Sequence, residues 1–209
     1  MLTVSAIMPT RGRPELAQEA LASFLAQDYP EKELVIVDYA DASSFVEAPQ
    51  APGVRYYRIE QRQAIGWKRN YACSQASGDV IMHFDDDDFS ESGRMTDQVD
   101  RMLAECAPVT GYHSMVFVEG PIRWKYKGSE NYSLGTSLAY RRWYWERCKF
   151  PDAGFHANGQ PIVGEDNAFV AASARCIVSV DAGDRMWARI HGANTNPREH
   201  WRGGNWNRI

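Results

Sequence analysis

The chain has 209 residues, 44% of them apolar, and a formal net charge of −4 at pH 7. That is enough apolar material for one sizeable core, and the acidic balance supplies no overall basic field of the kind that grips nucleic acid by its phosphates. No stretch approaches the roughly eighteen apolar residues of a membrane span, and the apolar N-terminal run precedes its arginines, the reverse of a secretory signal.

LTVSAIM is strand-like and is closed by Pro9. Leu16, Ala20, Leu21, Phe24 and Leu25 then recur at helical spacing, with Pro14 suited to the first turn. KELVIVDYAD holds a continuous apolar strand from Leu34 to Val37 that ends in Asp38, as suits a strand covered on both faces of a parallel sheet. VRYYRIE (54–60) reads as a third strand, GWKRNYACSQAS (66–77) as a helix, and DVIMHF (79–84) as a fourth strand with Asp85, Asp86, Asp87 and Asp88 at its end. This order predicts an α/β domain with helices packed on a largely parallel sheet. A helix near 91–104 follows. VTGYHSMVFVEG, IRWKYKG and SLGTSLAY read as antiparallel strands, RRWYWERC and EDNAFVAASA as helices, and CIVSVD and RMWARI as closing strands. The tail lacks a period and reads as a lid, a docking segment or a frayed end. Cys73, Cys106, Cys148 and Cys176 lie far apart without zinc spacing and read as reduced core residues, so a soluble, cytoplasmic protein is expected.

Four adjacent carboxylates repel one another, and something must offset that repulsion. A hard divalent cation, Mn²⁺ or Mg²⁺, typically takes one or two carboxylates together with phosphate oxygens and water. A solvated loop is the plain alternative, but open α/β sheets bind ligands at the C-terminal ends of their strands, where both Asp38 and the Asp run stand. The alternating spacing of an EF-hand loop is absent.

In their order and spacing, SAIMPTRGRP, LVIVDYADAS, GWKRNYACSQASGDVIMHFDDDD, GTSLAYRR and GED resemble the glycosyltransferase family 2 proteins over roughly residues 3 to 175, and HGANT extends the likeness. The resemblance implies a GT-A fold, a Rossmann-like nucleotide-diphospho-sugar transferase with a central mixed, mostly parallel sheet flanked by helices. It divides a single domain of 1–209 into a nucleotide-binding half (1–90), an acceptor half (91–195) and a tail (196–209). Asp85 and Asp87 match the family's D-x-D pair, with Asp87 as metal ligand, Asp85 beside it and the ribose, and Asp86 in the variable place. A one-residue shift leaves Asp86 and Asp88 as alternatives. Pro9, Thr10, Arg11 and Arg69 fall on the nucleotide side, and Asp38 matches a carboxylate that accepts from a pyrimidine ring. Tyr39 stands where a second Asp is usual, which weakens the expectation of a uridine diphosphate donor.

Glu165 and Asp166 open a helix, where first-turn acids stabilise the dipole by a few tenths to about 1 kcal/mol. The resemblance makes Asp166 the general base of an inverting transfer and Glu165 an acceptor-side residue. It also puts His191 on the metal. A surplus of tryptophans offers faces for sugar rings, Trp124 among them on the acceptor side, and residues 152–164 read as a closing loop. The implied activity moves one sugar at a time from a nucleotide-diphospho-sugar to a hydroxyl acceptor of unknown class, since no Q-x-x-R-W motif or membrane helix marks a processive synthase. The rivals are a non-catalytic nucleotide-sugar-binding module and a sugar-nucleotide pyrophosphorylase, whose glycine-rich N-terminal loop is missing.

Overall fold

The structure, a computed structural model, describes residues 1–158, 162–173, 176–194 and 204–209. Its centre is a set of parallel strands in the order β3 (Val54–Ile59), β2 (Lys32–Tyr39), β1 (Val4–Pro9) and β4 (Val80–His83). β8 (Ala139–Arg141) runs antiparallel to β4 and links the sheet to the long strand β6 (Val109–Glu119). β7 (Ile122–Lys127) pairs antiparallel with β6, and β11 (Trp206–Arg208) adds antiparallel to β7.

Side chains alternate across a strand, so an unbroken apolar run must feed two cores. Ala6, Met8, Leu34, Ile36, Val80 and Met82 fill one core beneath α1 (Pro14–Leu25) and α3 (Arg94–Ala104). The intervening Ile7, Val35, Val37 and Ile81 fill the other beneath α2 (Ile65–Gln75), α4 (Arg142–Cys148) and α5 (Glu165–Ser173). Apart from Ala6, each of these side chains contributes about 1.5–3 kcal/mol by leaving water, which fixes the register. The chain leaves β1 toward β2 on one side and returns as β4 on the other. The crevice outside the C-terminal ends of β1 and β4 is therefore the topological switch point, where ligands bind in such sheets.

The second half keeps its expected antiparallel pairs, β6 with β7 and with β8, and adds parallel ones. CIVSVD and RMWARI become β9 (Ile177–Asp181) and β10 (Met186–Arg189), both parallel to β6. A short strand not anticipated, β5 (Phe89–Ser90), follows the Asp run and pairs with β10, tying that run to the far part of the chain. SLGTSLAY gives only the three residues of β8 after a 3₁₀ turn, Gly135–Ser137. The expectation of four core cysteines is corrected: Cys73 is buried, but Cys148 and Cys176 are half-buried and Cys106 is exposed in the left-handed turn after α3. The expected tail lies largely outside the described residues, although its end, as β11, is a sheet strand. Residues 159–161 of the expected closing loop also lie outside.

Candidate active site

Two adjoining cavities open at the switch point and share Pro9, Arg13, Ile65 and Asn194 in their walls. The first carries Asp85, Asp86 and Asp87 together with Glu165 and Asp166. The second carries Arg11, Arg62, Lys68, Tyr39 and Phe155, and no carboxylate is among its lining residues.

The four aspartates take different sets of partners, with Arg13 shared by Asp86 and Asp87. Asp85 receives Arg69 through Nη1 at 3.1 Å and Nη2 at 3.3 Å. Burial pushes its carboxyl up, but the Arg69 guanidinium outweighs this and holds it down at about 2. Asp86 is 2% exposed, accepts from Thr10 Oγ1 at 2.6 Å and lies 3.2 Å from Arg13 Nη1. Burial pushes it up to about 7. Asp87 Oδ2 gathers Arg13 Nη1 at 2.5 Å, Asn194 Nδ2 at 3.1 Å and His191 Nε2 at 3.1 Å. Burial acts against its charge, yet the bond to His191 and the Arg13 charge hold its carboxyl below the ordinary range. Asp88 turns inward to accept from Thr136 Oγ1 and from the Arg189 backbone N–H at 3.2 Å.

Arg69, on α2, joins the two acidic walls. Besides Asp85 it donates through Nε to Glu165 Oε1 at 3.1 Å. Burial lowers its pKa, and the two carboxylates more than reverse this, so the guanidinium stays charged. Glu165 is buried, and burial pushes its carboxyl up against the pull of Arg69. Beside it, Asp166 is half-buried on the cavity wall, with Oδ1 held by the Asn167 N–H at 2.8 Å. Asp166 reaches the wall only because residue 135 is glycine: a Cβ there would lie 1.8 Å from Asp166 Oδ2 and 2.6 Å from its Cβ.

Three expected site residues are placed away from the cavity walls. Asp38 is fully buried: Oδ1 accepts from the Tyr39 N–H, and Oδ2 from Ser43 Oγ at 2.8 Å, the Ser44 N–H at 2.9 Å and Tyr56 OH at 3.0 Å. Its carboxylate organises the loop after β2, the work of a strand-end turn former. Thr10 is likewise buried, holding Asp86 and lying 2.6 Å from Ser44 Oγ. Trp124 packs with Tyr126 and Trp206 against a further apolar cluster that includes Tyr112, Met115 and Met186, and donates to Glu119, while Phe117 and Tyr132 line the cavity instead. Pro9, Arg11, Arg69, Asp85, Asp86, Asp87, Glu165 and Asp166 do line the cavities, and His191 touches Asp87.

Sequence reasoning passed over Arg13, Lys68, Asn194 and Gly135. Arg13 stands one residue before the helix that Pro14 opens, a place where a long cation reaches across the crevice. Burial opposes its charge, but Asp86, Asp87 and Asp85 together raise its pKa. Lys68 donates to the Thr10 carbonyl at 2.9 Å and sits 4.3 Å from the Tyr39 ring centre; burial lowers it to about 7. Asn194 lies inside HGANT, where its neighbour His191 drew the attention.

Comparison with known proteins bears on the fold and the family. WcaA of Escherichia coli (strain K12), named for glycosyl transfer in colanic acid biosynthesis, is 36% identical over 90 residues, 41% of this chain and 32% of its own. The GalNAc(5)-diNAcBac-PP-undecaprenol beta-1,3-glucosyltransferase of Campylobacter jejuni is 27% identical over 134 residues, 61% of this chain and 43% of its own. The chain thus spans under half the length of these curated relatives. Staphylococcus aureus TarS (1–349) bound to UDP-GlcNAc superposes with a TM-score of 0.72 at 20% identity, over 92% of this chain and 60% of TarS. The Pyrobaculum calidifontis mannosyltransferase PcManGT, with GDP-Man and Mn²⁺, gives 0.64 at 16% identity over 96% of this chain and 60% of its own. These neighbours establish the GT-A fold. The family profile for glycosyl transferase family 2 matches residues 5–158, most of the chain. The chain belongs to glycosyl transferase family 2.

Proposed function

We propose that this chain is a non-processive, inverting, metal-dependent glycosyltransferase acting on a nucleotide-diphospho-sugar. One observation carries the reading: a single cavity is walled by Asp85 to Asp87 with Arg13 and by Glu165 with Asp166. Phosphate-side chemistry and the Asp166 carboxylate stand within one cavity. The two walls come from the two halves, 1–90 and 91–195, which supports reading the chain as one domain.

Asp87 and His191 fit a divalent ion. They are within 3.1 Å of each other, Asp87 is held ionised, and a cation of this kind completes its shell with phosphate oxygens and water. Among the described residues no group of three or more His, Cys, Asp or Glu is poised for a metal, so the two-ligand set would need the donor's diphosphate. Asp85, both of whose oxygens meet Arg69, is the weaker candidate. The chemistry that Mn²⁺ or Mg²⁺ supplies when bound is neutralisation of the charge that develops on the departing diphosphate.

The chain's own groups do the rest. Arg13 faces both cavities and can turn from the aspartates to the diphosphate as a second positive group. The donor-rich second cavity takes the nucleoside, with Tyr39 and Phe155 as faces and Arg11, Arg62 and Lys68 as donors. A uridine diphosphate sugar is the first donor to test, supported by the UDP-GlcNAc complex of TarS. Asp166 accepts the proton of the acceptor hydroxyl, which is a poor nucleophile until a carboxylate takes that proton. With Asp166 as the one base, a single displacement inverts the sugar and requires no covalent sugar intermediate. Phe117, Tyr132 and Glu165 form the acceptor-side wall. No described helix is long and apolar enough to cross a membrane.

Asp166→Asn tests the assignment. Turnover, followed as nucleoside diphosphate released from UDP-sugars, should fall at least 10³-fold while UDP binding with Mn²⁺ stays within a few-fold. Equal loss of both would remove Asp166 as the base.

A further inference from the structure

His83 ends β4 two residues before Asp85 and is fully buried. A buried imidazole needs partners for both nitrogens. Nε2 lies 3.1 Å from the Tyr140 hydroxyl, which in turn lies 3.4 Å from Cys73 Sγ. Nδ1 lies 2.8 Å from Arg69 Nη1 and 2.7 Å from the Gly135 carbonyl oxygen. Those two neighbours make opposite demands, because a guanidinium only donates and a carbonyl only accepts.

Each tautomer satisfies one of these neighbours and opposes the other, and the charged neighbour decides. A fully buried ring 2.8 Å from a permanently charged guanidinium is neutral and has a single N–H. Placed on Nδ1, that hydrogen would oppose the N–H of a permanently charged guanidinium. The Gly135 carbonyl already accepts from the Leu138 N–H at 3.3 Å. Placed on Nε2, it donates to Tyr140 OH, whose own hydrogen turns to Cys73, and leaves the Nδ1 lone pair for Arg69.

We propose that His83, as the tautomer with its hydrogen on Nε2, is a positioning residue that couples the Asp85 wall to the Asp166 wall. This rests on Asp166 being the base. Through Nδ1 the ring orients the guanidinium, which then meets Asp85 by one edge and Glu165 by Nε. The same nitrogen abuts the carbonyl of Gly135, the residue whose missing side chain makes room for Asp166. A single buried ring thus touches the supports of both the phosphate-side acid and the proton acceptor.

The test combines spectroscopy and kinetics on the full chain. In ¹⁵N-histidine-labelled protein, with His83→Asn to assign the signal, His83 should show hydrogen on Nε2 only, and Arg69→Gln should move it to Nδ1. Hydrogen on Nδ1 in the unsubstituted protein overturns the proposal. In UDP-sugar hydrolysis, His83→Phe should lower kcat at least ten-fold with UDP affinity within two-fold. His83→Asn, whose amide oxygen can still accept from Arg69, should recover most of that loss. Equal losses in the two variants, or kcat and UDP affinity falling together, would reduce His83 to a packing residue and overturn the coupling. Absence of turnover in the unsubstituted protein overturns the transfer reading instead, and the tautomer measurement then decides the Arg69–His83 contact on its own.

Discussion

Carboxylates cluster at both ends of β1, β2 and β4, and the two ends treat them differently. At the N-terminal ends, Glu33 Oε1 accepts from Ser5 Oγ at 2.6 Å, Ser77 N–H at 2.5 Å and Ser77 Oγ at 2.7 Å, and Asp79 Oδ2 accepts from the Thr3 N–H and hydroxyl at 2.9 and 3.0 Å. Short, mostly neutral donors close the strand starts into a tie that nothing need leave. Beyond the C-terminal end of β4, Asp85 and Asp87 meet Arg69, Arg13, His191 and Asn194 beside open cavities. Long cationic side chains can exchange a carboxylate for a phosphate without unfolding a strand. Clustered carboxylates are thus common to both ends, and the kind of partner marks the site.

The sharpest way to break the comparison is to spoil the cavity end without touching a charge. Gly135→Ala puts a methyl group where the Asp166 side chain lies, at 1.8 Å from Oδ2, and the carboxylate must swing away. Turnover should fall at least 10²-fold, about 2.7 kcal/mol of barrier, while UDP binding holds within a few-fold by calorimetry. Turnover within three-fold of the original would show that Asp166 is not the proton acceptor in the position seen.

The next effects are on ligand binding. Asp87→Asn should remove most of the gain that Mn²⁺ gives to UDP affinity, read by titration with and without the ion. Removing Arg13 as Arg13→Gln should weaken UDP about ten-fold, near 1.4 kcal/mol, the scale of one charge-assisted hydrogen bond. The companion change at the other end, Arg55→Gln beside Glu33, should leave UDP affinity unchanged. If it weakened UDP as much as Arg13→Gln did, the distinction between the ends would fail.

Much of this was legible in the chain and some was not, for physical reasons. The alternate strand residues that fill two cores announce a covered parallel sheet, and four carboxylates after a buried strand announce a ligand edge. Asp38 has the same local signature and a different fate, because Ser43 and Ser44 fold back onto it. A strand-end Asp reads alike whether a loop or a ligand takes it. His83 looks like an interruption of an apolar strand until Tyr140 and Gly135, more than fifty residues away, reach its two nitrogens. The direction of β9 and β10 was hidden likewise, since a strand's own residues do not state whether its neighbour runs with or against it.

The smallest effect separates the two ends by the sign of their pH dependence. Hydrogen bonds at Glu33 outweigh burial and lower its carboxyl below the ordinary 4.5. Its contribution to stability is therefore present above that value and lost as pH falls through the lower folded value. Asp86 does the reverse. Burial lifts it from 3.8 to about 7, so the folded state holds a proton the unfolded chain has released, and stability falls as pH rises between those two values. Melting temperatures from pH 4 to 8 should show Glu33→Gln losing stability near neutrality and less pH dependence at the acid end. Asp86→Asn should instead flatten the decline toward pH 7, with a gain there. Because Glu33 is partly exposed, its effect should be the lesser, about 1 kcal/mol or below. If both substitutions shifted the curve in the same direction at pH 7, the acids at the two ends would be held in the same way, and the cavity end would lose the feature that sets it apart.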